Sequence, residues 1–302
     1  MCERVRRGNA FGLGLEVGFE CPGLPPPPTG DRDTRPPVRL ELARPADLPA
    51  NGGRGASVDY LLEADGYGTF LVPADGASVL CSPADAAPWQ WQRYLVGQIL
   101  PLVAVLHGFE AFHASVIALG RGAVAFVGRS GAGKSSIAAA LVARGAGFVA
   151  DDVLVVGTDD DPIRAYPGFG LTSLHRDVLA LLPGGTTEWL GPQVGADQHG
   201  VRIAVDVVPG ALPLTAVYFL GRATRSDGSL IERIDPVDPR VVLAGSYNLL
   251  VRTVERRIRH LDVCARLARD VECFRIAIAP GSGPTDVAAA VEAHTAADAM
   301  RP

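Results

Sequence analysis

The stretch "FVGRSGAGKSSIAAAL", residues 126–141, decides how the rest of this chain is read. It contains Lys134, the single lysine of the sequence. Of the 28 Lys and Arg residues, the other 27 are arginines. A general preference for arginine explains the 27 but not the exception, so position 134 calls for an ammonium in particular. Gly128-x-x-x-x-Gly133-Lys134-Ser135 fits G-x-x-x-x-G-K-[ST], the phosphate-binding loop of nucleoside-triphosphate enzymes. Glycines let the backbone curl so that successive N–H groups point inward at phosphate oxygens. The following helix adds its positive N-terminal end. The loop residues expected to cradle the nucleotide are Gly128, Arg129, Ser130, Gly131, Ala132, Gly133, Lys134, Ser135 and Ser136. Lysine suits the site as a compact charge on a flexible stem that reaches the β- and γ-phosphates, where a planar guanidinium is too bulky. Ser135 supplies a hydroxyl for the magnesium ion that accompanies the nucleotide.

The flanks agree with this reading. "AVAFV" (123–127) is a short apolar run of the kind that forms a buried parallel strand. "SSIAAALVARG" (135–145) is built of helix formers and ends at Gly145, a C-cap residue.

Composition sets the outer bounds. The chain has 302 residues, 48% of them hydrophobic and 20% charged, enough to bury a sizeable core. A net charge of −5 argues against nucleic acid as the main partner. The longest apolar run, "ILPLVAVL" (99–106), is less than half a membrane span, so no membrane partner is expected. The N-terminus lacks the sustained apolar core of a signal peptide. Five cysteines, odd in number and without C-x-x-C, point to reduced thiols and a cytoplasmic location. The six histidines are scattered and give no zinc pattern.

Along the chain, residues 1–56 read as a weakly ordered lead-in, rich in Pro, Gly and charge, with "PPPP" at 25–28 as linker or polyproline ligand. Residues 57–112 read as a small sheet plus helix. "VDYLLEA", "GTFLVPA" and "ASVLCS" are strands, and 87–108 is a helix bent or divided at Pro101. Trp89, Trp91 and Tyr94 at their spacing are core before they are a binding surface. "HASVIAL" (113–119) and 123–127 then form a hairpin-like pair leading into the phosphate loop. Further strands are expected at 147–157, 212–220 and 272–280, and helices at 239–251, 254–271 and 284–294. In the 254–271 helix, Val254, Ile258, Leu261, Ala265 and Ala268 make a narrow apolar stripe. Alternating strands and helices around a phosphate loop give an α/β domain over 113–280, with 281–302 as a C-terminal helix and tail.

Asp151 and Asp152 follow "GFVA", 17 and 18 residues after Lys134. That distance fits one helix plus a return strand and brings both carboxylates back beside the phosphate loop. A carboxylate at such a strand end can hold magnesium or accept a proton from an attacking hydroxyl. Read within one strand, the two adjacent side chains point to opposite faces, so they can divide these roles. The later acids Asp159, Asp160 and Asp161, ahead of Pro162, read as a solvated turn.

Together, "HASVIAL", "GRSGAGKSS" and "ALVARGAGFVADD" resemble the catalytic domain of the HPr kinase/phosphorylase family. The resemblance is close over about 113–156 and looser to about 280, through "YPGFGL" (166–171) and "CARLARDVECFRI" (264–276). It implies a P-loop kinase-like α/β domain of the HPr kinase C-terminal type, preceded here by a small N-terminal β-rich segment plus helix. It further implies ATP and Mg2+ as cofactors, a protein or peptide serine as acceptor, and a homo-oligomer. In the implied roles Asp151 is the general base, Asp152 helps organise magnesium, and His113 orients the acidic pair. Lys134 stabilises the β/γ-phosphates, Ser135 binds magnesium, and Arg202 in "HGVRIAVDV" is a candidate phosphate contact from a mobile loop. The pattern departs at Ser136, where the bifunctional enzymes carry Glu, and in the N-terminal region. The likeness is closer to HPr-kinase-related proteins, some of which modify peptide precursors such as those of lasso peptides. The function expected is an ATP-dependent kinase acting on a protein or peptide hydroxyl. The alternatives are a small-molecule kinase on the same fold and a nucleotide-binding regulatory module without turnover.

Overall fold

The computed structural model describes residues 5–28, 35–49, 59–182, 187–223, 230–247 and 249–299. The chain opens with β1 (Arg6–Ala10), β2 (Leu13–Val17) and β3 (Val38–Leu42), followed by β4 (Tyr60–Ala64), β5 (Gly68–Val72) and β6 (Ser78–Pro83). All six strands form one sheet in the order β1-β2-β3-β6-β5-β4. The lead-in expected over 1–56 is therefore corrected. It supplies half of this sheet, and Phe11, Leu13, Leu15, Val17, Val38 and Leu40 are buried in its core. The reason lies in the pattern Leu13-Gly-Leu15-Glu-Val17, a period-2 alternation that marks a half-buried strand even beside Pro-rich sequence. Pro25, the first of the four prolines at 25–28, lies against β1, where Asn9 N donates to Pro25 O at 3.0 Å. Other parts of the expected lead-in, 1–4, 29–34 and 50–56, lie outside the described residues.

α1 (Pro88–Tyr94) runs through a π-helical turn, Leu95–Ile99, into α2 (Leu100–Leu106). The widened turn sits immediately before Pro101, whose ring displaces the carbonyl four residues back and whose nitrogen cannot donate. Trp91 is buried edge-on against Phe19, and Tyr94 stacks near Tyr67, as core aromatics should. Trp89 faces elsewhere, toward the site.

Next come β7 (Glu110–Phe112), β8 (Ala114–Leu119), β9 (Gly122–Val127), α3 (Lys134–Ala143), β10 (Gly147–Ala150), β11 (Leu154–Val156) and β12 (Arg164–Tyr166). After them lie β13 (Leu171–His175), α4 (Arg176–Leu179), β14 (Gln193–Ala196), β15 (Gly200–Ala204), β16 (Leu212–Arg222) and β17 (Leu230–Arg233). α5 (Pro239–Leu243), α6 (Val254–Asp270), β18 (Glu272–Ile278) and α7 (Pro284–Ala299) complete the chain. β16 is the axis of the main sheet: it pairs in parallel with β9 on one side and β18 on the other. β8 and β10 extend the sheet beyond β9, β17 flanks β18, and β12, β11 and β7 continue from the start of β16. A three-stranded sheet, β13-β15-β14, stands apart. The protein is thus a mixed α/β structure. α3 and α7 pack together on one face of the main sheet, with Ala138, Ala140 and Val291 fully buried, and α6 covers the other through Val263, Cys264 and Leu267.

Three boundaries move. β7 belongs to the main sheet through β11 rather than to the N-terminal unit. The helix expected over 239–251 is only the five-residue α5. α7 packs against α3 in the core of the main sheet and is not an appended tail. The stripe Val254-Ile258-Leu261-Ala265 faces outward, and α6 instead buries Arg256, His260, Val263, Cys264 and Leu267. The cause is polar: Arg256 and His260 turn inward to meet the fully buried Glu110 of β7. Among the described residues, no helix is long and apolar enough to cross a membrane.

Candidate active site

The glycine-rich loop from Gly128 to Gly133 follows β9 and leads into α3, as its sequence requires. Gly131 and Gly133 take φ of 76° and 98°, in the left-handed region that L side chains avoid, and Gly133 is the N-cap of α3. Lys134 is buried, and its Nζ donates to Gly128 O at 3.0 Å and to Arg129 O at 3.4 Å. Burial pulls its ammonium pKa down, and the charges of Asp152 and Asp151 pull partly the other way.

The aspartate pair breaks its strand. β10 ends at Ala150, Asp151 and Asp152 form a bend with Asp152 at φ 67°, and β11 starts at Leu154. The strand expected over 147–157 is therefore two, and the pair is not a simple up-and-down alternation. Asp151 turns into the protein. Its Oδ1 accepts from Ser115 Oγ at 2.5 Å and from Ser135 Oγ at 2.9 Å, and its Oδ2 accepts from Thr172 Oγ1 at 2.6 Å. Asp152 instead opens into a cavity of about 660 Å³ that also holds His113, Lys134, Ser135 and Arg202. Desolvation at the cavity wall and the neighbouring charge of Asp151 raise its carboxyl pKa to about 6.

His113 precedes β8. Its Nδ1 lies 3.0 Å from the main-chain oxygen of Asp152, its ring stacks on Tyr247 at 5.6 Å, and its backbone N donates to Gly245 O. Burial lowers its pKa, helped by the Lys134 charge, while the Asp152 carbonyl contact opposes the shift. The histidine thus holds the bend through the backbone rather than through a carboxylate.

The far wall comes from the three-stranded sheet and α1. Arg202 lies on strand β15, not on the mobile loop expected for it, and is 7% exposed; burial together with the positive charge of Arg93 lowers its pKa to about 10. Arg93 of α1 lines the cavity with it, and both also line a smaller cavity beneath Asp151 and Asp152. Trp89 closes α1 onto β14, where a side chain at Gly195 would strike the indole at 2.5 Å. "YPGFGL" seals the floor: Gly168 N donates to Val149 O, Gly170 N to Gly23 O, and Phe11 N to Pro167 O.

Lys134, Ser135, Asp151, Asp152, His113 and Arg202 are thus gathered at one place. Sequence reasoning missed three contributors. Ser115 had a signal, since period 2 puts it on the face of His113. Thr172 and Arg93 had none, because each arrives from an element whose docking no local pattern encodes.

No family model matches the chain, and no curated protein matches its sequence. Among solved structures it is similar to the Hpr(Ser) kinase/phosphatase from Coxiella burnetii, with 15% identity and a TM-score of 0.35, covering 63% of this chain and 93% of that one. At those values the likeness does not say what this chain acts on.

Proposed function

We propose that the protein is an ATP-dependent phosphotransferase that moves the γ-phosphate to a hydroxyl of a protein or peptide. The observation that carries this reading is the division of the aspartate pair: Asp151 bonds the phosphate-loop serine, and Asp152 faces the open cavity beside Lys134. The loop N–H groups and Lys134 bind and orient the triphosphate. Magnesium fits the donor set of Ser135 and Asp151, two hard oxygen ligands 2.9 Å apart, with phosphates and water as its usual remaining ligands. When bound, magnesium neutralises phosphate charge. Asp152 takes the proton of the acceptor hydroxyl, and its carboxyl near pKa 6 is mostly ionised at neutral pH yet basic enough for the task.

These roles reverse those implied by the family resemblance, which made Asp151 the base and Asp152 the magnesium residue. The reason is geometric: Asp151 is occupied by hydrogen bonds from Ser115, Ser135 and Thr172, whereas Asp152 lines the open cavity where an acceptor can reach it. Arg202 and Arg93 suit charge developing on the transferring phosphoryl group.

A small-molecule acceptor is the second reading, favoured by the paired guanidiniums of Arg93 and Arg202, which suit an acceptor with an anionic group of its own. One experiment tests both: transfer of labelled γ-phosphate from Mg-ATP into a host extract, with Lys134→Ala and Asp152→Asn as controls. Label in an acid-stable protein or peptide band that both variants lose supports the first reading. Label confined to small molecules supports the second. Transfer that persists undiminished in Lys134→Ala sinks both.

A further inference from the structure

Seven of the eleven exposed large hydrophobic side chains among the described residues fall within 241–261. Three of them, Val254, Ile258 and Leu261, are 64%, 65% and 58% exposed along one edge of α6. Ala265 is exposed and Ala268 half-buried on the same line. Such a concentration of uncovered apolar surface marks an interaction site.

The spacing describes the partner. Val254, Ile258, Leu261, Ala265 and Ala268 alternate by four and three residues, the 3.5-residue repeat of a coiled-coil seam. Ile258 and Ala265 occupy a positions, and Val254, Leu261 and Ala268 occupy d positions. A seam of this kind takes another helix of the same repeat. The flanking charges are complementary to themselves. Arg257 stands at g and Asp262 at e, five residues later, and both are exposed. In a parallel pair of identical helices, g of one copy meets the following e of the other, so Arg257 and Asp262 form two symmetric ion pairs. Leu249 and Leu250, 56% and 44% exposed, lie just before the helix and lengthen the apolar surface. The inward face of α6 is already engaged through Arg256, His260 and Leu267, which leaves the stripe free for a partner without unfolding anything.

We propose that α6 is the dimerisation helix of this protein, pairing in parallel with α6 of a second copy about a two-fold axis along the stripe. The seam from Val254 to Ala268 spans about 21 Å at 1.5 Å rise per residue.

The test uses the full chain. In sedimentation equilibrium at micromolar concentration the wild type is expected at twice 31.6 kDa. Ile258→Glu and Leu261→Glu are each expected to raise the dissociation constant by about a hundredfold or more, as loss of a central apolar anchor does. Circular dichroism and nucleotide binding should stay unchanged, because neither side chain is buried. Single cysteines in a Cys2→Ser background then read the orientation. Parallel pairing predicts disulfide-linked dimers for Val254→Cys alone, Leu261→Cys alone and Ala268→Cys alone. A monomeric wild type overturns the proposal, as does an oligomer that survives Leu261→Glu. Linkage of Val254→Cys only to Ala268→Cys, in mixed samples, overturns the parallel arrangement.

Discussion

Ser135 Oγ donates to Asp151 Oδ1 at 2.9 Å, so the hydroxyl just after the glycine-rich loop is tied to the first of the two aspartates. The same carboxylate oxygen accepts from Ser115, and the other from Thr172. Three elements that meet nowhere in the sequence, β8, α3 and β13, are thereby joined at one carboxylate. The arrangement ties Asp151 into the protein and leaves Asp152 on the wall of the open cavity.

Ser135→Ala and Asp151→Asn should therefore uncouple nucleotide binding from magnesium. Calorimetric titration with ATP, with and without Mg2+, is expected to show magnesium strengthening binding to the wild type. In each variant that gain should shrink by about tenfold to a hundredfold, the usual cost of losing a metal ligand's partner. If both variants keep the full magnesium effect, Asp151 does not organise the ion.

Asp152→Asn should leave Mg-ATP affinity within about twofold and lower the transfer rate by about a hundredfold to ten-thousandfold, the range of general-base contributions. The pH profile gives a second readout. Asp152 must be ionised to accept a proton, so the rate should level off above its pKa of about 6 and fall about tenfold per pH unit below it. Rate measurements from pH 5 to 8 decide it: a flat profile across pH 6 removes Asp152 from the proton step.

Much of this site was legible before any fold was known. The phosphate loop, its strand and its helix are local: glycines, one lysine and an apolar run fix them within a short window. The distance from Lys134 to Asp151 and Asp152 was equally readable, because helix and strand rises are constant. The different placement of the two acids was not. It turns on the bend at Asp152 and on Thr172, which reaches Asp151 only after β13 has docked. The N-terminal sheet was misread for a related reason: β1, β2 and β3 are five residues each, and composition averaged over 1–56 hid their alternation. On α6 the apolar period was legible, but which face turns inward was not. Glu110 lies 146 residues before Arg256, and only their meeting shows which face turns in.

The Asp152 environment also predicts a stability effect. A carboxyl whose folded pKa is raised binds its proton more tightly folded than unfolded, so ionisation at neutral pH opposes folding. Asp152→Asn should melt at a higher temperature than the wild type at pH 7.5. The gap should close as pH falls from about 6 toward the ordinary carboxylate value of 3.8, where the wild type is protonated in both states. Thermal melts of the two proteins at pH 7.5 and pH 4.5 test this. Equal melting temperatures at pH 7.5 would mean that the cavity does not disfavour the charge.

Glu110 gives the opposite sign. It is fully buried on β7, with Arg256 Nη2 and Arg259 Nε each 3.1 Å away and His260 Nδ1 at 2.8 Å. Burial alone would push its carboxyl pKa up, but the His260 hydrogen bond and the Arg256 charge outweigh it and hold it below 4.5. Glu110→Ala leaves Arg256 buried with no counter-charge, and breaking a buried pair from one side costs about 3 to 5 kcal/mol. That corresponds to a fall of about 10 °C in melting temperature for a chain of this size. The stabilisation comes from an ionised carboxylate, so it is fully present at pH 7 and is lost as pH falls through the depressed folded pKa. The difference between wild type and variant should therefore narrow in acid below about pH 4.5, where the Asp152→Asn difference also closes. Melts of Glu110→Ala at pH 7 and pH 4 read both predictions. A variant as stable as the wild type at pH 7 would show that α6 is held to β7 by its apolar contacts alone.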